Sequence, residues 1–174
     1  MARLTALGVD ALLVSDLVNV RYLSGFTGSN AALLVFASHH YDADDDTPPV
    51  LATDSRYRTQ AATQAPDLEA TIERACGRHL VARAVAEGAR RIGFESHVVT
   101  VDGYDHLACA LDGHAGVELV RASGTVEALR EVKDAGEITM LRLACQAADA
   151  ALAALIAGGG LRPGRTELSV ARDL

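Results

Sequence analysis

The chain has one lysine, Lys133, among 16 basic residues set against 23 acidic ones, and its formal net charge is −7. With no basic stripe to neutralise phosphates, the sequence argues against a nucleic-acid partner. Cysteine is sparse too: Cys76, Cys109 and Cys145 lie far apart and form no CxxC pair. That spacing supports neither a disulfide framework nor a zinc knuckle. No apolar run is read as approaching the ~18–20 residues that span a bilayer, so no membrane partner is expected. The N-terminus, MARLTALGVDALLVSD, lacks a separate apolar region and a small-residue cleavage site. A signal peptide is therefore not expected, and a cytoplasmic location is the default.

Familiar catalytic spacings are also missing. His79, His97, His106 and His114 form no HExxH pattern, and Ser96, His97 and Asp102 lack the support that a triad needs. The glycines of GFTGSN (25–30) follow neither GxxxxGK[ST] nor GxGxxG, so the segment reads as a turn with unusual backbone angles rather than a phosphate loop. His39, His40, Asp42, Asp44, Asp45 and Asp46 have the donor types of a metal site. They fall in one acidic stretch with no fixed geometry, and read as a solvated hairpin loop that discourages edge-to-edge sheet pairing.

What is present is globular: 49% apolar residues, a mean hydropathy of +0.15, and a length that suits one domain with some to spare. Short apolar runs predict strands at 10–16, 31–37, 49–54, 68–73, 90–95 and 116–122. Helices are predicted between them: one ending at Leu7 before Gly8, a short one capped by Asn19, one after Asp54 or Ser55 and ended by Pro66, one over 78–88 and one over 100–111. Strands alternating with helices indicate an α/β fold, a three-layer mixed β-sheet with helices on both faces. A hairpin joining the second and third strands makes the sheet mixed.

The longest predicted helix starts at Asp134, which has the spacing of a capping box with Glu137. Ile138, Leu141, Cys145, Ala148, Leu152 and Leu155 recur at helical spacing, and Gly158 to Gly160 end it. Cys145 is expected to pack as a small buried hydrophobe on this stripe. The helix is apolar on several sides and expects more company than the chain supplies.

Six segments occur in a recognisable order: DALLV (10–14), NVRYLSGFTGS (19–29), LATDSRY (51–57), IGFE (92–95), LREVKDAGEI (129–138) and PGRTEL (163–168). Together they resemble the amino-terminal part of the creatinase/prolidase/aminopeptidase P family, nearest to its bacterial Xaa-Pro aminopeptidase and dipeptidase branch. The resemblance implies an N-terminal α/β domain over 1–122, a linker helix over 123–133, and the truncated start of a "pita-bread" metallopeptidase domain over 134–174. It implies two divalent metal ions (Mn, Co or Zn) in a full-length parent, held by ligands downstream of this sequence. Catalytic residues, metal ligands and cofactors are therefore expected to be absent here, and the chain alone is expected to be inactive. A homodimer or higher oligomer is implied, in which loops of this domain close over a neighbour's site for an Xaa-Pro peptide. The candidates for such contacts are Arg56, Tyr57 and Phe26, with Asp54, Gly25 and Gly28 as structural motif residues. Arg56 is read first as an ion-pair partner of Asp54 or a helix-face contact that fixes the strand–helix corner, and second as a guanidinium offered to a peptide carboxylate. Two other readings stay open: a stand-alone protein-interaction module of the same fold, and the N-terminal domain of a creatinase-like amidinohydrolase.

Overall fold

The computed structural model describes residues 2–37 and 48–174. The acidic run with His39, His40 and Asp42 to Asp46 lies outside the described residues. The chain divides into two compact units, Met1–Arg130 and Glu131–Leu174.

The first unit contains β1 (Ala11–Val14), β2 (Ala31–Phe36), β3 (Val50–Thr53), β4 (Glu69–Ile72), β5 (Arg91–Phe94) and β6 (Glu118–Arg121). Its helices are α1 (Ala2–Leu7), α2 (Leu17–Ser24), α3 (Arg58–Gln64), α4 (Cys76–Ala86), α5 (Val101–Ala108) and α6 (Glu127–Arg130). The strands form one six-stranded sheet in the order β4-β3-β2-β1-β5-β6. The β1–β2 and β2–β3 pairs are antiparallel and the other three are parallel, so the sheet is mixed.

Period-two alternation explains why helices cover both faces. Along β1, Leu12 and Val14 enter one core while Ala11 and Leu13 enter the other. The first core is closed by Leu4 of α1, Val20 of α2 and Ala61 of α3, together with Val126 just before α6. The second takes Leu80, Val81 and Ala84 of α4 and Leu107 of α5. Leu13 lies in register with Leu34 on one side and Phe94 on the other, and Leu13 and Leu34 are fully buried. Each such leucine contributes roughly 1.5–3 kcal/mol of transfer free energy. The three-layer α/β architecture expected from the sequence is the one observed.

One helix start differs from expectation. Asp16, not Asn19, is the N-cap of α2, accepting from the Val18 amide at 2.8 Å. Asn is a favoured cap, but here Asn19 lies inside the helix and is completely buried.

The second unit contains α7 (Ala135–Ala157) and α8 (Glu167–Asp173). The Asp134–Glu137 capping box forms, with reciprocal bonds of 2.8 and 2.9 Å. After α7, the Arg165 guanidinium donates to the carbonyls of Gly160 and Ser169, both at 2.9 Å, and so braces the Gly-rich break. Leu155 is the single buried residue of α7. Cys145 is exposed, contrary to expectation: the helical period is right, but no second layer covers it within its unit.

The reading that no apolar run approaches the length of a bilayer span needs correcting. By length and composition alone, Ala135–Ala157 is long and apolar enough to cross a bilayer, with a mean hydropathy of 1.5. It nevertheless carries Glu137, Arg142 and Asp149, and a charge at the bilayer centre costs roughly 2.5–3.5 kcal/mol.

Candidate functional site

The GFTGSN loop and the DSRY corner meet at one end of the sheet. Gly25 ends α2 in the left-handed region at φ 74° and its amide donates to the Arg21 carbonyl at 2.8 Å. Glycine suits such an angle because no Cβ opposes it. Gly28 serves a different need: a Cβ there would lie 2.3 Å from Phe26 Cζ and 3.1 Å from Tyr57 Cγ. Its absence lets the Phe26 and Tyr57 rings pack edge to face at 5.8 Å between centroids. The loop is tied to α3 where the Thr27 amide donates to Gln64 Oε1 at 2.9 Å.

Asp54 follows β3 and is the centre of the corner. Its carboxylate accepts from Arg56 Nε at 2.9 Å, Arg56 Nη2 at 2.7 Å, the Arg56 amide at 3.1 Å and Asn30 Nδ2 at 2.9 Å. The Arg56 fork and the Asn30 amide hold the Asp54 carboxyl well below the usual carboxylate range, and Asp54 in turn raises Arg56. The Asp54 side chain is 10% exposed and that of Arg56 is 66% exposed, so the pair has one fixed end and one end in solvent. Arg56 Nη1 makes no hydrogen bond among the described residues. The guanidinium also lies over the Tyr57 ring at 5.0 Å. Tyr57 Oη and Ser29 Oγ are 2.6 Å apart, and this bond holds the phenol below its usual pKa. An open cleft beside this corner is lined by Asn30, Asp54, Ser55, Arg56, Glu73 and Arg74.

The corner brings together every candidate site residue named from the sequence. Arg56 is exposed, Tyr57 is half-buried, and Phe26 is buried at 1% exposure beneath the loop. The Asp54–Arg56 ion pair forms as the sequence suggested.

A second polar centre went unforeseen. Glu95, 1% exposed, follows β5 and accepts from the amides of Ser15 at 2.6 Å and Asp16 at 2.7 Å. Its other oxygen accepts from Asn19 Nδ2 at 2.6 Å. Asn19 Nδ2 also donates to Glu127 Oε1 at 2.7 Å, and Asn19 Oδ1 accepts from Arg130 Nη1 at 2.9 Å. His97 Nε2 shares a 3.0 Å hydrogen bond with Glu127. Burial pushes the Glu127 carboxyl up, but the Asn19 amide, a backbone amide and the His97 ring together outweigh it and leave the group below its ordinary value. Local signals did exist: a polar Asn between Val18 and Val20, and an acidic residue closing the apolar run IGF.

Among the described residues, no three His, Cys, Asp or Glu side chains group so as to hold a metal ion.

The Creatinase/Prolidase N-terminal domain model matches residues 1–132. The chain belongs to this family. An uncharacterized peptidase of Bacillus subtilis (strain 168), YqhT, is 32% identical over 169 residues, covering 97% of this chain and 44% of that protein. The N-terminal domain of cytoplasmic peptidase PepQ from Mycobacterium tuberculosis H37Rv is 65% identical over 74% of this chain and 92% of that domain, with a TM-score of 0.67. An Xaa-Pro dipeptidase from Bacillus anthracis is 28% identical over 99% of this chain and 44% of its own, with a TM-score of 0.84. The chain thus spans less than half the length of the two longer relatives, and as a creatinase/prolidase N-terminal domain it corresponds to their amino-terminal part.

Proposed function

We propose that this chain is the non-catalytic recognition and assembly domain of a cytoplasmic, metal-dependent Xaa-Pro peptidase. In the assembled enzyme it presents Arg56 and Tyr57 to a peptide held by a neighbouring subunit, in a homodimer or larger oligomer. Phe26 supports the Tyr57 ring from beneath. The observation that carries this reading is the Asp54–Arg56 corner. A largely buried carboxylate fixes two donors of the fork, while the rest of the guanidinium faces an open cleft. Preorganising an arginine in this way lowers the ordering entropy of binding a carboxylate. That the relatives are peptidases, an Xaa-Pro dipeptidase among them, favours a peptidase parent over a creatine-type amidinohydrolase. Two divalent ions (Mn, Co or Zn) belong to the parent's catalytic domain in this reading, not to residues 1–174.

The test is an Xaa-Pro dipeptide and tripeptide hydrolysis assay on this chain with added Mn²⁺, alongside calorimetric titration of the metal. No turnover and no tight stoichiometric binding are expected. Turnover with two tightly bound ions would overturn the proposal, because the ligands would then have to come from residues assigned here to caps and loops.

A further inference from the structure

The order β4-β3-β2-β1-β5-β6 puts a divergence at β1 and β5: β1 leads to β2 on one side, and β5 leads to β6 on the other. In α/β sheets, the crevice outside the carboxyl ends of two such strands is the usual place for a ligand. Here the crevice has the donors of an anion site. The Ser15 and Asp16 amides lie at the start of α2, where the helix dipole favours negative charge, and the Asn19 amide faces them. The group they hold is the chain's own Glu95.

We propose that this crevice is a carboxylate-binding site filled by Glu95 as an internal ligand, and that the bound carboxylate positions α6 through Asn19. Burying a carboxylate without compensation costs several kcal/mol. Glu95 has no cation in hydrogen-bond contact among the described residues; neutral N–H donors compensate for its burial at 2.6, 2.7 and 2.6 Å. Asn19 then becomes a two-sided connector. One Nδ2 proton goes to Glu95 and the other to Glu127, while Oδ1 takes Arg130, so both donors and the acceptor oxygen of its amide are engaged. Glu95 and Glu127 together fix which way this amide faces, since the flipped amide would turn its oxygen toward both carboxylates. Glu127 and Arg130 are the first and last residues of α6. Both ends of the last helix of the first unit are therefore tied to one buried amide, and Glu95 is the one of its three partners that lies outside that helix.

Hydrogen exchange of the α6 amides Leu129 and Arg130 tests this on the 174-residue chain. In Glu95→Ala, these amides are expected to exchange at least tenfold faster. Sodium formate should restore protection saturably, and sodium chloride at equal ionic strength should not. Unchanged α6 exchange in Glu95→Ala, or equal recovery with both salts, would overturn the proposal. If Glu95→Ala does not fold even in formate, Glu127→Ala decides. That variant leaves the Glu95 donors intact, so α6 should lose protection while the Ser15 and Asp16 amides keep theirs. Loss at both places, or at neither, would contradict the connector role.

Discussion

The two units use the same aliphatic residues to opposite effect. In the first, Leu12, Leu13, Leu33, Leu34, Leu51 and Leu80 are at most 3% exposed. In the second, Met140, Leu141, Leu143 and Ile156 are 53–65% exposed. The difference is one of layers rather than composition. A sheet with apolar side chains on both faces is closed by α1, α2 and α3 on one side and by α4 and α5 on the other. A long helix in a 44-residue unit has no second layer of its own. An apolar helix that is good at packing but short of neighbours offers surface to something else, and several hundred Å² of such surface favours association.

The sharpest contrast should come from matched truncations. Leu34→Ala, at a fully buried position of β2, is expected to destabilise the first unit by about 2–5 kcal/mol. Leu141→Ala on α7 should stay within about 0.5 kcal/mol. Urea unfolding followed by circular dichroism measures both. Comparable losses would mean that α7 is covered in solution and that the contrast between the units is false.

The cysteines provide a milder version of the same comparison. Burial pushes the Cys76 thiol up to about 11, whereas Cys109 and Cys145 are exposed. A thiolate reagent at pH 8 should label Cys145 and Cys109 at least about a hundredfold faster than Cys76, as read by peptide mass mapping. The folded state holds the Cys76 proton more tightly than the unfolded chain does. This share of stability is complete below the unfolded thiol pKa and is lost as pH climbs through about 11. Equal labelling of Cys76 in native protein would place it outside the core.

What was legible in the sequence was local or periodic. The short apolar runs ALLV and AALLVF, the Asp134–Glu137 spacing and the Asp54–Arg56 pair all involve residues a few positions apart, where geometry follows from the backbone. The Glu95 centre joins partners separated by 76 to 80 positions, and the Asn19–Glu127 contact spans 108. Only the sheet order brings these groups together, so Asn19 reads from sequence as a helix cap, its commonest local role. Cys145 illustrates the converse. Helical periodicity identified its stripe correctly, but a stripe shows which residues share a face and not whether anything lies against it.

The most direct measurement compares residues 1–130 with the full 174-residue chain by multi-angle light scattering across a concentration series, alongside thermal unfolding of each. The account predicts that the full chain associates with rising concentration, and that the shorter chain is more monomeric while unfolding at the same midpoint. Equal monomer fractions for the two, or a shorter chain that no longer unfolds cooperatively, would contradict the claim that a self-sufficient domain carries an uncovered helix.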